Sequence, residues 1–344
     1  MSKINISILG ASGYTAIELI RLSLSHPNIS IKHLFGNSKT GMEMHEIYPH
    51  LKFAKLPKIS KLSLEALSES DVLFSCLPHG ELQNIISRIP EHIKIIDVSA
   101  DFRLQSLALF EEFYGSKHKA PEYVKDAIYA LPEHSKEAIR DKRIIACPGC
   151  YPTSVLIPLI PITESGLLSD KTIIIDSKSG ASGSGRKLTE NNLFCELNEN
   201  IKPYNIQKHR HLSEMIENLS AKSDLKLNIQ FTPQIVPISR GILSTIYISS
   251  KKSAKSLKQH LQNFYSNSPF IQIHEDDTIP ELRNVIGSNN CEVNIFDSEN
   301  SDLKIIISII DNLNRGSSGQ AIQNFNILYN LAEDTGLKNP VLFP

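Results

Sequence analysis

The feature that most constrains the fold is an apolar run followed at once by a glycine-rich turn and an amphipathic stretch. KINISIL (3–9) has the composition of a buried strand, GASGYTA (10–16) follows it, and AIELIRLSLS (16–25) has helical apolar spacing. Another strand-like run, ISIKHLF, then ends at Phe35. A strand, a turn, a helix and a strand in this order predict a βαβ unit with parallel strands.

The alternation of strand-like and helical stretches continues to about residue 148. Further runs of strand character are DVLFSC (71–76), IKIIDVS (93–99) and RIIAC (143–147). Strands that alternate with helical stretches are typical of an α/β fold, so residues 1–148 are predicted to form a Rossmann-type dinucleotide-binding domain with a parallel sheet.

Beyond residue 148 the pattern changes, and residues 149–316 are predicted to form a second, α+β domain for catalysis and substrate binding. YPTSVLIPLIPITESG predicts a helix that ends near Gly166. Four apolar runs predict a mixed or antiparallel sheet: 171–180, 229–238, 241–250 and 302–310. The runs 229–238 and 241–250 are expected to be antiparallel, since only Ser-Arg-Gly joins them. Helical spacing returns at 317–333, and the segment 317–344 is expected to pack back on the first domain.

Composition excludes several classes of protein. The chain has 344 residues and a formal net charge of −1, so no global field attracts it to nucleic acid or to an anionic membrane. No apolar run approaches the roughly 20 residues of a membrane span. The N-terminus has no leader-like apolar core, so a cytoplasmic location is expected. Five cysteines, an odd number, argue against a disulfide framework.

The turn GASGYTA predicts a dinucleotide site. Gly10 permits the tight turn, and Gly13 lets the backbone approach a pyrophosphate at the helix N-terminus. A plain strand–helix turn is the alternative interpretation. The segment that follows Phe35 carries no carboxylate to hold a ribose 2′-hydroxyl, whereas Ser38 and Lys39 are suited to a 2′-phosphate. NADP is therefore the predicted cofactor, and a solvated loop lysine is the alternative for Lys39.

The motif ACPGCYPTS (146–154) places two cysteines three residues apart. Such a spacing fits a redox dithiol, half of a metal site, or one reactive cysteine with an unrelated neighbour. Cys147 closes a predicted strand and is expected to be a small core residue. Cys150 opens a predicted helix, where the positive end of the dipole favours the thiolate. The pattern favours a single activated nucleophile, Cys150, and two inert thiols are the alternative.

A nucleophile needs a partner that handles protons, and HRHLSE (209–214) offers His209 and His211. Glu214 is close enough in sequence to orient one of the two imidazoles. The alternative is an exposed polar segment. No metal is predicted, because the two histidines are closer together than common zinc ligands and no second cysteine pair accompanies them.

Eight stretches together resemble the N-acetyl-γ-glutamyl-phosphate reductase family, relatives of aspartate-semialdehyde dehydrogenases. They are GASGYTA (10–16), CLPHG (76–80), DVSADFRL (97–104), YALPE (129–133), CPGCYPT (147–153), SGASGSGR (179–186), HRHLSE (209–214) and NLNRGSSGQAIQNFN (312–326). The resemblance covers nearly the whole chain. It implies an NADPH-dependent reductase of arginine biosynthesis that acts on an acyl phosphate through a cysteine thioester.

The resemblance also implies residue roles. Cys150 is expected to be the nucleophile, with His211 or His209 as acid/base and a preference for His211. Candidate cofactor residues are Gly10, Ala11, Ser12, Gly13, Tyr14, Thr15, Ser38, Lys39, Pro78, His79, Gly80, Gly180 and Gln320. Candidate substrate residues are Arg103, Ser179, Arg186 and Glu214. A structural ion pair with Asp97 or Asp101 is the alternative for Arg103, and a surface position is the alternative for Arg186.

The chain departs from the family pattern at three places and leaves three other functions open. Ala16 stands for the usual Gly, Ser213 for the usual Pro, and GSSGQ for GAAGQ. The alternatives are a reductase of aspartyl or N-acyl-aminoadipyl phosphate, a non-catalytic dinucleotide-binding regulator, and a thiol-redox protein. A homo-oligomer is expected, with the β-rich second domain as the interface.

Overall fold

The fold is taken from a computed structural model, which describes residues 3–299 and 301–341 and, for Asn191, the backbone alone. The described residues divide into two compact units. The first contains residues 3–111, 116–148 and 317–338. The second contains the described residues of 112–115, 149–316 and 339–341.

The first unit is built on a seven-stranded sheet in which every pair of neighbours is parallel. The strand order is β3-β2-β1-β4-β5-β7-β6, and the strands are β1 (Ile4–Leu9), β2 (Ile29–Phe35), β3 (Ile59–Ser60), β4 (Val72–Ser75), β5 (Lys94–Asp97), β6 (Ala127–Tyr129) and β7 (Ile144–Ala146). The helices up to Pro148 are α1 (Tyr14–Ser25), α2 (Met44–Ile47), α3 (Leu64–Leu67), α4 (Leu107–Tyr114) and α5 (Pro132–Asp141). The predicted parallel α/β architecture is confirmed.

A buried apolar cluster holds this sheet together. Leu9, Leu73 and Ile95 from three neighbouring strands lie in one cluster with Phe35 and Phe102. Each such side chain contributes about 1.5–3 kcal/mol when it leaves water completely. The cluster fixes the carboxyl ends of the strands, which carry the loops discussed below.

The second unit contains a mixed seven-stranded sheet in the order β12-β13-β14-β11-β8-β10-β9. Its strands are β8 (Thr172–Gly180), β9 (Lys202–Pro203), β10 (Asn228–Val236), β11 (Ile242–Ser249), β12 (Ile271–Ile273), β13 (Cys291–Asp297) and β14 (Leu303–Ile310). Its helices are α6 (Cys150–Glu164), α7 (Phe194–Leu197), α8 (His211–Ser220) and α9 (Ala254–Phe264). The predicted mixed sheet is confirmed.

β10 and β11 are antiparallel, as expected, but they are not neighbours in the sheet. β8 lies between them, parallel to β10 and antiparallel to β11. The link 237–241 therefore crosses over β8 instead of closing a hairpin. The backbone N–H groups of residues 180–182 donate to the carbonyls of Ile238, Ser239 and Gly241 in this link, so the end of β8 takes the place that a hairpin partner would have.

Helix α6 has apolar residues on all sides and is surrounded by α8, α9, β11 and β14. Every residue from Tyr151 to Thr163 is buried, as expected of a helix with no polar face. The hydroxyl of Ser154 lies 2.7 Å from that of Ser244 in β11. This contact and the apolar packing fix the first turn of α6, where Cys150 lies.

The last helix, α10 (Gly319–Leu328), belongs to the first unit and contacts α1 and α5. Phe325 packs edge-on against His26 and near Phe74. The helix is shorter than the periodicity of 317–333 predicts, since it ends at Leu328 and Asn330 takes a left-handed backbone conformation with φ 53°.

Candidate active site

The two cysteines of ACPGCYPTS lie in different surroundings, as predicted. Cys147 follows β7, is fully buried, and its sulfur lies 3.5 Å from Asn324 Nδ2. Burial is the main cause that raises the pKa of this thiol to about 12. Cys150 is the first residue of α6 and is half-buried. None of the five cysteines, all of them in the described part of the chain, forms a disulfide.

The imidazole of His211 packs on the turn that presents Cys150. A Cβ atom added to Gly149 would lie 2.5 Å from His211 Nε2. Glu214, one turn along α8, is fully buried; its Oε2 accepts the N–H of Gly149 at 2.9 Å, and its Oε1 lies 4.0 Å from His211 Nε2. One carboxylate thus contacts both the helix N-cap before Cys150 and the imidazole beside it.

His209 is held as a neutral imidazole. Its Nδ1 accepts the backbone N–H of His211 at 3.1 Å, so its proton lies on Nε2, 3.4 Å from the hydroxyl of Tyr204. The Tyr204 hydroxyl donates to that of Tyr151, which donates to the carbonyl of Gln234. Burial, and then the charge of Arg210, lower the pKa of His209 to about 4. Of the two candidate histidines, His211 is the one whose imidazole packs on the turn before Cys150.

Cys150 opens on a cavity of about 370 Å³ whose wall is formed by residues of the second unit. The wall includes His209, His211, Tyr151, Tyr204 and Ser179. Among the described residues that line it, Lys208 and Arg210 are cationic, and none is acidic. The electrostatics of this wall favour an anionic ligand.

Several residues of this site were missed by sequence reasoning. A Cβ on Gly316 would lie 2.7 Å from that of Cys150, so only glycine fits there. Tyr204, Lys208 and Phe113 line the cavity but belong to no motif with a recognisable spacing. The one available signal was Gly316 in NRGSSGQ. A glycine can indicate a close backbone approach, but the sequence does not show which residue approaches it.

The glycine-rich loop after β8 lines the same cavity. Ser179 and Gly180 lie on the wall, and the Ser179 hydroxyl donates to the Gly180 carbonyl at 3.1 Å. Gly180, expected beside the cofactor, is thus placed in the unit that carries Cys150. Asn312 Nδ2 donates to the Ser182 hydroxyl at 2.9 Å and supports the loop. Arg186, farther along, is exposed and is not among the described residues of the wall.

The other predicted substrate residues lie elsewhere. Arg103 is buried in the first unit, where its Nη2 donates to the carbonyl of Val98 at 3.2 Å and its charge acts on Asp97. Glu214 lies behind the Gly149 turn and not on the cavity wall. Its carboxylate oxygens face Gly149 and His211, so Glu214 supports the turn before Cys150.

The turn GASGYTA has the shape of an anion site in the first unit. Gly10 has φ +84°, and a Cβ there would lie 2.6 Å from the carbonyl oxygen of Cys76. Gly13 is the N-cap of α1 and provides no side-chain cap, and the first turn has no acidic residue. Its backbone N–H groups and the helix dipole therefore favour a bound phosphate. The hydroxyl of Tyr48 donates a 2.9 Å hydrogen bond to the Ser12 carbonyl in this turn.

The remaining cofactor candidates of this unit lie at the carboxyl ends of β2 and β4 and in α10. Ser38 is exposed and Lys39 half-buried in the loop after β2, while Pro78 and His79 are exposed and Gly80 half-buried after β4. Gln320 is fully buried in α10. Ser318, just before α10, donates to the carbonyl of Thr15 at 2.8 Å, which ties this helix start to the glycine turn.

Comparison with known proteins agrees with both units. The semialdehyde dehydrogenase NAD binding domain model matches residues 5–142, and the semialdehyde dehydrogenase dimerisation domain model matches residues 150–312. A probable N-acetyl-γ-glutamyl-phosphate reductase, chloroplastic, from Arabidopsis thaliana is 42% identical over 99% of this chain and 86% of its own length. The N-acetyl-γ-glutamyl-phosphate reductase of Ehrlichia ruminantium is 41% identical over 98% of each chain.

This chain belongs to the N-acetyl-γ-glutamyl-phosphate reductase family. The fold is shared more widely: aspartate semialdehyde dehydrogenase from Candida albicans, solved with NADP, superposes with a TM-score of 0.70 at 18% identity, over 97% of this chain and 100% of that one. At this level of identity the likeness concerns the fold alone.

The three departures from the reductase pattern fit their surroundings. Ala16 is fully buried in the first turn of α1. The hydroxyl of Ser213 donates to the Arg210 carbonyl at 2.6 Å near the start of α8. Ser318 of GSSGQ makes the bond to Thr15 described above. Each polar replacement finds a local acceptor, so none of them disturbs the site.

Two further properties concern metals and membranes. Among residues 3–299 and 301–341, no three His, Cys, Asp or Glu side chains cluster as metal ligands would. No helix within these residues is long and apolar enough to cross a membrane.

Proposed function

We propose that this chain catalyses the NADPH-dependent reduction of N-acetyl-γ-glutamyl phosphate to N-acetylglutamate γ-semialdehyde and phosphate, a step of arginine biosynthesis. The observation that carries the proposal is the packing of His211 on Gly149, beside Cys150, at a cavity with a basic wall. The names of the relatives supply the substrate. The site supplies a nucleophile, a proton carrier and an environment for an anion.

Cys150 is proposed as the nucleophile. It occupies the first position of a 15-residue helix whose first turn has no acidic side chain. The positive end of the helix dipole stabilises a thiolate there. His211 is placed to take the thiol proton, and the buried carboxylate of Glu214 stabilises the imidazolium that results.

The chemical steps balance with these groups alone on the protein side. The Cys150 sulfur attacks the acyl carbon, the bond from that carbon to the phosphate oxygen breaks, and phosphate leaves with the electron pair. A thioester remains on Cys150. After reduction of its carbonyl carbon, His211 protonates the oxygen. The thiohemiacetal then loses the hydroxyl proton, its carbon–sulfur bond breaks, and the thiolate is restored as the aldehyde forms.

A nicotinamide cofactor fits the first unit. Gly10 and Gly13 shape an uncapped helix start at the end of β1, and the strand order reverses between β1 and β4, where ligands of such sheets bind. When bound, NADPH supplies the hydride that reduces the thioester. The residues proposed to hold it include Gly10 to Thr15 and Pro78 to Gly80, with Gln320 as the candidate for the nicotinamide end.

NADPH is proposed over NADH because of the segment after β2. Residues 36–41 contain no carboxylate, and Ser38 and Lys39 carry groups that bind phosphate. The next carboxylate in the chain is that of Glu43, which lies at the N-cap of α2 and meets Lys58 Nζ at 3.4 Å. That carboxylate is engaged with the protein and does not stand at the end of the strand.

Substrate recognition is proposed to involve the basic wall of the cavity. Lys208 and Arg210 flank His209 and are suited to the phosphate and the carboxylate, the two anionic groups of this substrate. Ser179 offers a hydroxyl on the same wall. Arg103 and Arg186 remain candidates for the same anions, although the first is buried in the other unit and the second is exposed on its loop.

We also propose a homo-oligomer that acts in the cytoplasm. The second half of the chain matches a domain described as a dimerisation domain. Its segment 187–207 exposes a series of large apolar side chains, namely Leu188, Leu193, Phe194, Ile201 and Ile206. Such a concentration of exposed apolar area is typical of a surface that associates.

A substrate panel tests the proposal. Purified protein is supplied with NADPH and with N-acetyl-γ-glutamyl, aspartyl or N-acyl-aminoadipyl phosphate, and the reverse reaction is run with the semialdehyde, NADP and inorganic phosphate. We expect a kcat/KM for the N-acetylglutamyl compound at least 100-fold above the others, with phosphate required in reverse. Preference for another acyl phosphate would replace the substrate, and no turnover with any would leave the regulator and thiol-redox alternatives.

A further inference from the structure

The loop after β4 lies where the strand order of the first sheet reverses. β1 and β4 are neighbours, and the chain continues from β1 to β2 on one side and from β4 to β5 on the other. Sheets of this kind bind their ligands at the carboxyl ends of the strands at this reversal. The loop also abuts the glycine turn, since a Cβ on Gly10 would collide with the carbonyl of Cys76.

A single buried carboxylate shapes this loop. Asp101 is 1% exposed, and its Oδ2 accepts the N–H groups of Leu82 at 2.8 Å and Gln83 at 3.2 Å. Its Oδ1 accepts the N–H of Gly80, which has φ +84°. Hydrogen bonds to an ionised acceptor are the stronger kind. Asp101 thus fixes the left-handed glycine and the turn that follows it with three backbone donors.

Asp101 is itself held rigidly. Its carbonyl oxygen lies 2.8 Å from Nε2 of His118, whose Nδ1 accepts the N–H of Ala120 at 3.1 Å. The second bond assigns the proton to Nε2, so His118 donates to Asp101. The imidazole packs edge-on against Phe102 and Phe110, with ring centroids 5.3 and 4.8 Å away. The carboxylate therefore acts from a fixed backbone.

We propose that Asp101 is the positioning residue of the cofactor site: it holds Pro78, His79 and Gly80 in the conformation that receives the dinucleotide. The inference rests on the proposed function, because it requires that the chain bind NADPH. Both carboxylate oxygens are occupied by loop N–H groups, so Asp101 acts through the loop. Pro78 and His79 are exposed at the strand ends, as residues that meet a ligand must be.

The test compares Asp101→Asn with Asp71→Asn. Asp71 accepts the N–H of Asn5 at 2.8 Å just before β4, at the opposite end of the same strand. Both substitutions weaken a carboxylate bond to backbone, but only the first concerns the loop. NADPH binding to the otherwise intact chain is measured by nucleotide fluorescence, with the melting temperature and the rate of Cys150 alkylation recorded in parallel.

We expect the Kd for NADPH to rise about 10-fold or more in D101N, the scale of losing one charge-assisted bond, and to stay within twofold in D71N. Alkylation of Cys150 keeps its wild-type rate in both. A D101N protein that loses thermal stability and keeps the wild-type Kd would overturn the proposal. If D101N does not fold, Gly80→Ala is tested instead. A Cβ on residue 80 meets nothing within 4 Å, yet alanine disfavours φ +84° and so displaces the loop. An unchanged Kd for NADPH in this variant would overturn the proposal.

Measurements on the wild-type protein distinguish failure of the proposed function from failure of the role of Asp101. Wild type that binds no NADPH contradicts the proposed function, and the role of Asp101 with it. Wild type that binds NADPH and reduces the acyl phosphate, while D101N binds NADPH equally well, contradicts the role of Asp101 alone.

Discussion

The imidazole of His211 lies against the backbone of Gly149, so close that a methyl group on Gly149 would fall 2.5 Å from Nε2. The two residues are far apart in the chain and meet because α8 packs beside α6. Their contact sets the distance between the proposed proton carrier, His211, and the proposed nucleophile, Cys150, which follows Gly149. The first prediction tests this contact.

Gly149→Ala is expected to displace the imidazole and to lower kcat on the order of 100-fold, the effect of about a 1 Å misplacement of a catalytic group. NADPH affinity should be unchanged, and steady-state kinetics with a nucleotide titration measure both. Gly166→Ala is the matched control. It follows the other end of α6, has φ +63° and has nothing within 4 Å of an added Cβ, so it costs stability but preserves kcat. Equal kcat for the two variants would contradict the assignment of His211.

Glu214→Gln keeps an oxygen for the Gly149 N–H but removes the charge beside His211. We expect kcat to fall roughly 10- to 100-fold, part of the 10²–10⁴ that acid–base catalysis contributes, with little change in KM for either substrate. Glu217→Gln, three residues along α8, is the control and should retain full activity. If Glu214 instead binds substrate, as the sequence suggested, KM will rise while kcat holds.

Stability should depend on His209 at acid pH. Its pKa lies near 4 in the folded chain, mainly because of burial, and near 6.5 when unfolded. Between these values the unfolded state binds more protons, so the free energy of unfolding falls as the pH falls, by about 3 kcal/mol at pH 4. Urea denaturation at pH 7 and pH 4.5 should show a smaller pH dependence for His209→Gln. His45→Gln, at an exposed histidine, is the control. The same change in the free energy of unfolding between the two pH values in wild type and both variants would refute the prediction.

Cofactor choice should change with one residue after β2. Ser38→Asp puts a carboxylate where a 2′-phosphate is expected, and the Kd for NADPH should rise at least about 10-fold through like-charge repulsion, while NADH binding does not weaken. Asn28→Asp adds the same charge at the opposite end of β2 and should change neither. Wild type that binds NADH more tightly than NADPH would show that the interpretation of residues 36–41 is wrong.

The sequence predicts the local parts of this structure well, for a physical reason. Apolar periodicity and the glycine turn determine β1 and α1 from neighbouring residues, and a Pro-Gly turn separates the strand before Cys147 from the helix that begins at Cys150. Those interactions span only a few residues, so they can be read from a short window.

What the sequence cannot give depends on distant segments. The placement of β8 between β10 and β11 requires the crossover through residues 237–241, which no periodicity encodes. Gly316 lies against Cys150, and Glu214 accepts from Gly149, only after the second unit has folded. The choice between His209 and His211 is of this kind too, because it depends on which imidazole packs against Gly149.

The central claim, a thioester on Cys150, is tested most directly by mass spectrometry of protein quenched in acid after mixing with N-acetyl-γ-glutamyl phosphate in the absence of NADPH. We predict one N-acetylglutamyl group on wild type and on Cys147→Ala, located on the peptide that begins α6, and none on Cys150→Ser, which should still bind NADPH. Acylation that persists in Cys150→Ser, or that disappears in Cys147→Ala, would contradict the account.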